Sequence, residues 1–220
     1  MARLKSAAPL PAQIPWGDIF LSGKLECPAE KPLGLVVFVH GAGSSQAGPR
    51  NAVIAAALRE SGFATLRFDL LAEHERETEA QRLAYEIELL ASRIESAAVW
   101  ARNRPELRGI ATGYFGAGTG AAASLVAASE DGPEIGAIVA RGGRPDLANG
   151  ALGYVRAPTL LIVGSADEEA LAANQAAFNQ LGGKKSLEIV LGADGDCSDA
   201  TSLELVADSA ATWFRAHLGA

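Results

Sequence analysis

Short apolar runs alternate with alanine-rich or amphipathic stretches along most of this chain, and this alternation constrains the fold more than any other feature. An uninterrupted apolar run is typical of a strand that is buried on both faces, and the stretches between the runs have helical spacing. Strands that alternate with helices form a mostly parallel sheet with helices on both faces. The predicted strands are Leu35–Val39, Phe63–Phe68, the run that begins at Gly109, Ile135–Ala140, Thr159–Val163 and Leu187–Val190.

The remaining stretches complete a chain that is predicted to form one domain, because 220 residues suffice for one sizeable core. Residues 1–13 are predicted to be a loose N-terminal arm, Ile14–Cys27 one or two edge strands, and Glu73–Glu79 a charged, solvated stretch. The predicted helices are Asn51–Ser61, Arg82–Arg102, a helix that ends at Ser129, Glu168–Leu181 and Leu203–Leu218.

Composition restricts the partners and the compartment. The net charge of −7 argues against nucleic acid as a partner. No apolar run is long enough to cross a bilayer, and the N-terminus has no apolar segment typical of a secretion signal. Only two cysteines occur, Cys27 and Cys197, which is typical of a reducing compartment rather than of a disulfide framework. We therefore expect a cytoplasmic protein that binds neither membrane nor nucleic acid.

The stretch Gly109–Ser124 contains a strand, a tight glycine turn and the start of a helix. Its turn reads Gly116-Ala117-Gly118-Thr119-Gly120, which has the spacing of the G-x-S-x-G nucleophile elbow but a glycine at the serine position. In open α/β sheets, ligands bind beyond the carboxyl ends of the strands. The loops predicted to meet there are His40–Ser45, Gly116–Gly120, Arg141–Asp146, Asp167 and Gly192–Asp199.

Taken together, these loops and their flanking strands resemble a small α/β-hydrolase of the dienelactone hydrolase type over nearly the whole chain. The segments that carry the resemblance are Phe38–Ser45, Pro49–Asn51, Phe68–Leu71, Gly113–Gly120, Arg141–Asp146 and Ala157–Gly164. The resemblance implies an α/β-hydrolase fold and hydrolysis of an ester or a lactone by a nucleophile, an acid and a histidine.

The family's catalytic roles transfer to this chain only in part. The resemblance implies that Asp167 is the triad acid, and it implies backbone donors to an oxyanion at Ala42 and Thr119. At the nucleophile position the chain has Gly118, and at the histidine position it has Gly195. The three histidines of the chain do not replace the missing one: His40 lies in the first glycine loop, His74 in a charged surface stretch and His217 at the end of the last helix.

We therefore expect a protein that lacks efficient hydrolysis and keeps a pocket for a small carbonyl or carboxylate ligand, with no cofactor and no metal. Arg50, Arg141 and Arg144 are candidate partners of a ligand carboxylate, since arginine makes forked, charge-assisted hydrogen bonds. The alternative for Arg144 is a structural salt bridge with Asp146. Two other interpretations stay open: an ester or lactone hydrolase whose active residues have been replaced, and an enzyme of other chemistry that uses Asp167 and the oxyanion hole.

Several weaker patterns remain as alternatives. Substitute nucleophiles would be Cys197, Thr119, Ser44 or Ser45, although none has a visible base and the thiol should stay protonated. Gly116–Ala121 also satisfies a dinucleotide-binding fingerprint, with Arg141 at the end of the next strand. Asp194–Asp199 resembles part of a calcium-binding loop but lacks that motif's sixth-position glycine and closing glutamate.

Overall fold

A single eight-stranded sheet runs through the computed structural model, which describes residues 8–41, 48–130 and 134–219. The spatial strand order is β1-β2-β4-β3-β5-β6-β7-β8. Strands β3 to β8 are parallel, and β1 and β2 are joined antiparallel to the β4 edge. The strands are β1 Leu10–Trp16, β2 Ile19–Glu26, β3 Leu35–Val39, β4 Ala64–Phe68, β5 Thr112–Ala117, β6 Ala137–Arg141, β7 Thr159–Gly164 and β8 Lys185–Val190.

Helices cover both faces of this sheet, which confirms the predicted α/β-hydrolase fold. The helices are α1 Pro49–Glu60, α2 Glu73–Thr78, α3 Ala80–Leu83, α4 Ile87–Arg102, α5 Thr119–Ser129, α6 Glu168–Gln180 and α7 Ala200–Leu218, with 3₁₀ segments at Pro105–Leu107 and Pro145–Tyr154. Strand β3 shows why both faces must be covered, because its side chains alternate between two cores. One core contains α4 and α5, and the other contains α1 and α7.

The prediction of a loose arm over residues 1–13 is wrong for residues 10–13. Strand β1 begins at Leu10 and forms a hairpin with β2 around Gly17, whose φ is 53°. Pro11 is tolerated because β1 is the edge strand, while Ala12 and Ile14 are buried against the core. The alternation of buried and exposed positions therefore starts earlier than the weak sequence signal around Pro11 indicated.

The predictions for residues 73–102 also need correction. Residues 73–79 are not a plain solvated stretch, because Glu75 in α2 forms a bidentate ion pair with Arg93 of α4, at 2.7 and 2.8 Å. Arg93 is 1% exposed, donates to the Leu70 carbonyl and lies over the Trp16 ring. The long helix predicted from Arg82 is interrupted between α3 and α4. The other predicted strands and helices are found close to their predicted bounds.

In the described parts of the chain, we find no helix with the length and apolar character that crossing a membrane requires.

Candidate active site

The turn between β5 and α5 has the strained geometry of a nucleophile elbow. Gly118 is its apex, with φ 61° and ψ −133°, and the N-terminus of α5 follows immediately. The neighbouring glycines are required by close packing: a Cβ on Gly120 would lie 2.4 Å from the Val39 carbonyl oxygen, and one on Gly116 would lie 2.8 Å from the Ala121 Cα. Gly118 differs, because among the described residues a Cβ there would meet only Gly41, at 3.5 Å. The apex therefore has room for a side chain that the sequence does not supply.

Asp167 and Gly195 lie against each other on the neighbouring loops. A Cβ on Gly195 would be 2.6 Å from Asp167 Oδ2 and 2.8 Å from the Ala170 Cβ. Asp167 is exposed, and its Oδ1 accepts a hydrogen bond of 2.9 Å from the Ala170 N–H as the N-cap of α6. In this structure the carboxylate of the predicted triad acid thus stabilises a helix end.

The loop after β6 joins these two positions. Gly142 and Gly143 have φ of 55° and 68°, a conformation that favours glycine. A Cβ on Gly143 would lie 2.3 Å from the Gly118 carbonyl oxygen, and one on Gly142 would lie 2.3 Å from the Gly195 carbonyl oxygen. The structure therefore brings Gly118, Gly195 and Asp167 to one edge of the sheet, with the Arg141–Arg144 loop between them.

The three candidate arginines have different environments. Arg141 is only 4% exposed, and its Nη1 donates a hydrogen bond of 2.8 Å to the carbonyl oxygen of Asp196. Burial lowers the pKa of Arg141, and the nearby carboxylate of Asp196 opposes that shift. Arg50 is half exposed, and its Nη1 lies 3.6 Å from Asp196 Oδ2. Arg144 makes two hydrogen bonds of 2.8 Å to Asp146, which is the structural salt bridge that the sequence left open.

Two cavities meet above this edge of the sheet. One, of about 390 Å³, lies over Gly118 and is bounded by His40, Asn51 and Arg141. The other, of about 370 Å³, lies over Asp167 and Gly195. Arg50 and Asp196 line both cavities, so the two form neighbouring parts of one cleft.

Asp196 and Asn51 are cleft residues that the sequence did not single out. Asn51 is 8% exposed, and its Oδ1 has no hydrogen-bond partner. The sequence signal that could have indicated Asn51 as a cleft residue is its position next to Arg50, in the family-like segment Pro49–Asn51. Asp196 follows Gly195 directly, but only the structure shows that two arginines approach it.

Of the histidines, only His40 lines the cleft. It is 3% exposed, its Nδ1 lies 2.9 Å from the Gly41 carbonyl oxygen, and its Nε2 lies 3.6 Å from Asp69 Oδ1. Because a carbonyl oxygen only accepts hydrogen bonds, Nδ1 carries the proton in this contact. His74 is exposed on α2. His217 packs against Trp213, and its backbone is near Gly136, directly before β6. It therefore lies at the amino-terminal ends of the parallel strands, away from the cleft at their carboxyl ends.

The candidate substitute nucleophiles differ in burial and in whether the structure describes them. Cys197 is completely buried, and burial raises the pKa of its thiol to about 11. Thr119 Oγ1 is buried and has no hydrogen-bond partner. Ala42, Ser44 and Ser45 lie outside the described residues, so the first oxyanion donor and both serines stay predictions.

The calcium-like loop shows no metal-binding arrangement. Within residues 8–41, 48–130 and 134–219, no group of three or more histidine, cysteine, aspartate or glutamate residues could hold a metal ion. The Asp194 carboxylate accepts hydrogen bonds from the backbone and the hydroxyl of Ser198, and Asp199 caps α7.

No family model matches the chain. Among solved structures, dienelactone hydrolase from Anabaena variabilis is similar with a TM-score of 0.91 and 41% sequence identity, over 96% of this chain and 98% of that one. The chain belongs to the dienelactone hydrolase family. A dienelactone hydrolase-like promiscuous phosphotriesterase from metagenomic libraries has the same fold, with a TM-score of 0.75, 18% identity and coverage of 96% of this chain and 99% of that one.

A longer protein of Mycobacterium tuberculosis is also similar. It carries the provisional name phosphoribosyl transferase, and it is 46% identical over 206 residues, which make up 94% of this chain and 46% of that protein. The chain thus spans about half the length of the curated relatives that it matches. Membership of the dienelactone hydrolase family accounts for the glycine string Gly116–Gly120 as an elbow, so no dinucleotide is needed to explain it.

Proposed function

We propose that this chain is a member of the dienelactone hydrolase family that binds a small carbonyl- or carboxylate-bearing ligand and does not hydrolyse it efficiently. The observation that supports this proposal is the apex of the elbow. Gly118 has the backbone geometry of the nucleophile position and room for a side chain, yet it has no hydroxyl or thiol to attack a carbonyl. Gly195 likewise offers no base beside Asp167.

The size of the expected deficit follows from known triads. Removal of a triad serine or histidine lowers the rate by about 10⁶-fold, and the two losses are not additive. An oxyanion hole and substrate binding alone retain roughly 10³–10⁴-fold over water. The N–H groups of the first turn of α5 have no partner within the helix, so Thr119 still offers a donor to a polarised carbonyl.

Esters and lactones are better supported as the ligand class of this chain than the substrates of phosphoribosyl transfer. The likeness to the Anabaena enzyme covers both chains almost completely. The likeness to the M. tuberculosis protein covers less than half of that protein, and its name describes the whole. We therefore take the ligand class from the hydrolase family.

The test is turnover of p-nitrophenyl acetate and of a simple lactone at high protein concentration. We expect the unmodified chain to match its Cys197→Ala variant, with rates near the buffer rate, because Gly118 has no nucleophilic side chain and the Cys197 thiol is buried. A clear rate in the unmodified chain would contradict the proposal, and its loss in Cys197→Ala would identify the thiol as the nucleophile.

The same assay on Gly118→Ser and on the double variant Gly118→Ser, Gly195→His separates the two hydrolase-derived alternatives. A serine at 118 fits the space, whereas a histidine at 195 requires Asp167 to leave its cap position. Esterase activity in the double variant would favour a hydrolase whose active residues have been replaced. Activity of the unmodified chain that is lost in Asp167→Asn would favour other chemistry at Asp167.

A further inference from the structure

Arg141 carries a buried positive charge that forms no ion pair with a described carboxylate, although the Asp196 carboxylate is near enough to act on its pKa. It is 4% exposed, no carboxylate of the described residues forms an ion pair with it, and its hydrogen bond goes to the neutral carbonyl of Asp196. Among the residues that the structure describes, its Nε has no hydrogen-bond partner. Arg93, which is similarly buried, makes a bidentate ion pair with the Glu75 carboxylate, although its Nε also has no partner among the described residues. An unpaired buried charge is costly, which favours a counter-ion that arrives with a ligand.

The surroundings of Arg141 also favour a negative charge. Arg50 lines the same cavity with its Nη1 3.6 Å from Asp196 Oδ2, whereas Arg141 binds the backbone carbonyl of Asp196. The cavity is also lined by Ala117 and Gly118, which directly precede α5, an 11-residue helix whose N-terminus attracts anions. Near Gly118, the described cavity lining thus has two arginines and one aspartate.

We propose that Arg141 is the anchor for the anionic group of the ligand, a carboxylate or a phosphate, held above Gly118 at the N-terminus of α5. This inference rests on the proposed function, because a side chain at position 118 would project into the space that the anion needs. The guanidinium fork matches the paired oxygens of either group. A cavity of about 390 Å³ suits a small molecule, and the net charge of −7 disfavours a polyanionic macromolecule.

The direct test observes Arg141 in the unmodified chain. Sodium acetate and inorganic phosphate are titrated at constant ionic strength against a chloride reference, and the arginine Nε–H signals are followed by ¹H–¹⁵N NMR. We expect one signal, absent from the Arg141→Lys spectrum, to shift saturably with at least one probe. The probe that binds more tightly distinguishes a carboxylate ligand from a phosphate ligand.

Variants then test the energetics by thermal shift with the same probes. We expect Arg141→Lys to bind about tenfold more weakly or worse, because it loses the fork. Arg50→Gln should weaken binding less, since Arg50 is half exposed. Arg82→Gln, which removes an exposed arginine on α3, is the matched control and should bind normally.

Unchanged binding in Arg141→Lys, or no saturable response to either anion, would overturn the assignment. If Arg141→Lys fails to fold, the Arg50→Gln variant and the titration of the unmodified chain replace it as the test. Arginine signals that move no more with acetate or phosphate than with chloride would overturn the assignment of Arg141 as the anchor. Failure of the proposed function is distinguishable, because it appears as ester turnover by the unmodified chain whether or not an anion binds.

Discussion

At the scale of single residues, Gly118 and Gly195, which we propose occupy the nucleophile and histidine positions, are accommodated for different reasons. Gly118 has a positive φ and free space, so a side chain there is opposed by backbone strain of about 1–3 kcal/mol. Gly195 has no such φ, but a Cβ would press on Asp167 and Ala170. A side chain is therefore opposed by steric contact at position 195 and by backbone conformation at position 118.

The first prediction concerns this contact. Gly195→Ala should lower the free energy of unfolding by about 1–3 kcal/mol, as overpacking usually does. Gly150→Ala is the matched control, because a Cβ at Gly150 meets nothing within 4 Å, and its change should stay within about 0.5 kcal/mol. Urea denaturation of both variants measures the difference. Equal stabilities would show that the loop at Gly195 can move away from α6 at little cost.

A second prediction concerns the thiols. Burial raises the pKa of Cys197 to about 11, and it raises that of the half-buried Cys27 with help from Glu106. At pH 8 a thiol of pKa 11 is about 0.1% thiolate, and Cys197 has no exposed surface. We expect iodoacetamide to leave Cys197 unmodified in the folded chain and to modify both cysteines in urea, as read by peptide mass spectrometry. Rapid labelling of Cys197 in the folded chain would contradict its burial.

At the scale of elements, the Glu75–Arg93 pair fixes α2 and the hairpin to α4. Arg93 stacks on Trp16 of β1, donates to the Leu70 carbonyl and is held by Glu75, whose Oε2 also accepts from the Ala72 N–H. Desolvation raises the pKa of Glu75, but the hydrogen bonds from Arg93 and Ala72 outweigh it, so the pKa lies below its usual range.

The third prediction follows from the sign of that shift. A carboxyl group with a lowered folded-state pKa stabilises the fold above its unfolded pKa of about 4.3 and loses that contribution as the pH falls through the folded value. Glu75→Gln should cost about 3 kcal/mol at pH 7, because Arg93 stays buried and unpaired, and less at pH 3. Glu79→Gln, in an exposed pair with Arg82, should cost under about 1 kcal/mol. Denaturant titrations at both pH values decide, and a cost that does not depend on pH would refute the assignment.

At the scale of the whole molecule, one continuous sheet separates two cores. Trp16 and Trp100 belong to elements packed on one core, and Trp213 belongs to α7 on the other. The chain matches only part of the M. tuberculosis protein, so its independent folding needs a test.

The fourth prediction is that the chain unfolds cooperatively by itself, because the central strands β3, β5, β6 and β7 each contribute side chains to both cores. Tryptophan fluorescence and far-ultraviolet circular dichroism should give coincident urea transitions. In a Trp213→Phe variant, the fluorescence comes only from Trp16 and Trp100, which pack on the core that contains α4 and α5. Its fluorescence midpoint should coincide with its own circular dichroism midpoint. Separate midpoints for the two cores would indicate units that unfold independently.

The sequence by itself determined the order of strands and helices, because each apolar run and each glycine turn is a local signal. The glycine turn drew attention to Gly118, and the family resemblance implied roles for Asp167 and Gly195; these roles stay predictions. The sequence missed Leu10–Gln13 as strand and Glu75 as a buried partner, because pairing across β1 and β2 and the approach of α2 to Arg93 are long-range events. Only the tertiary structure decided that Asp167 caps α6, that Arg144 pairs with Asp146, and that Arg141 is buried without an ion pair to any described carboxylate. Those outcomes depend on which side chains meet when loops that are far apart in the sequence come together, and a local sequence pattern does not specify such contacts.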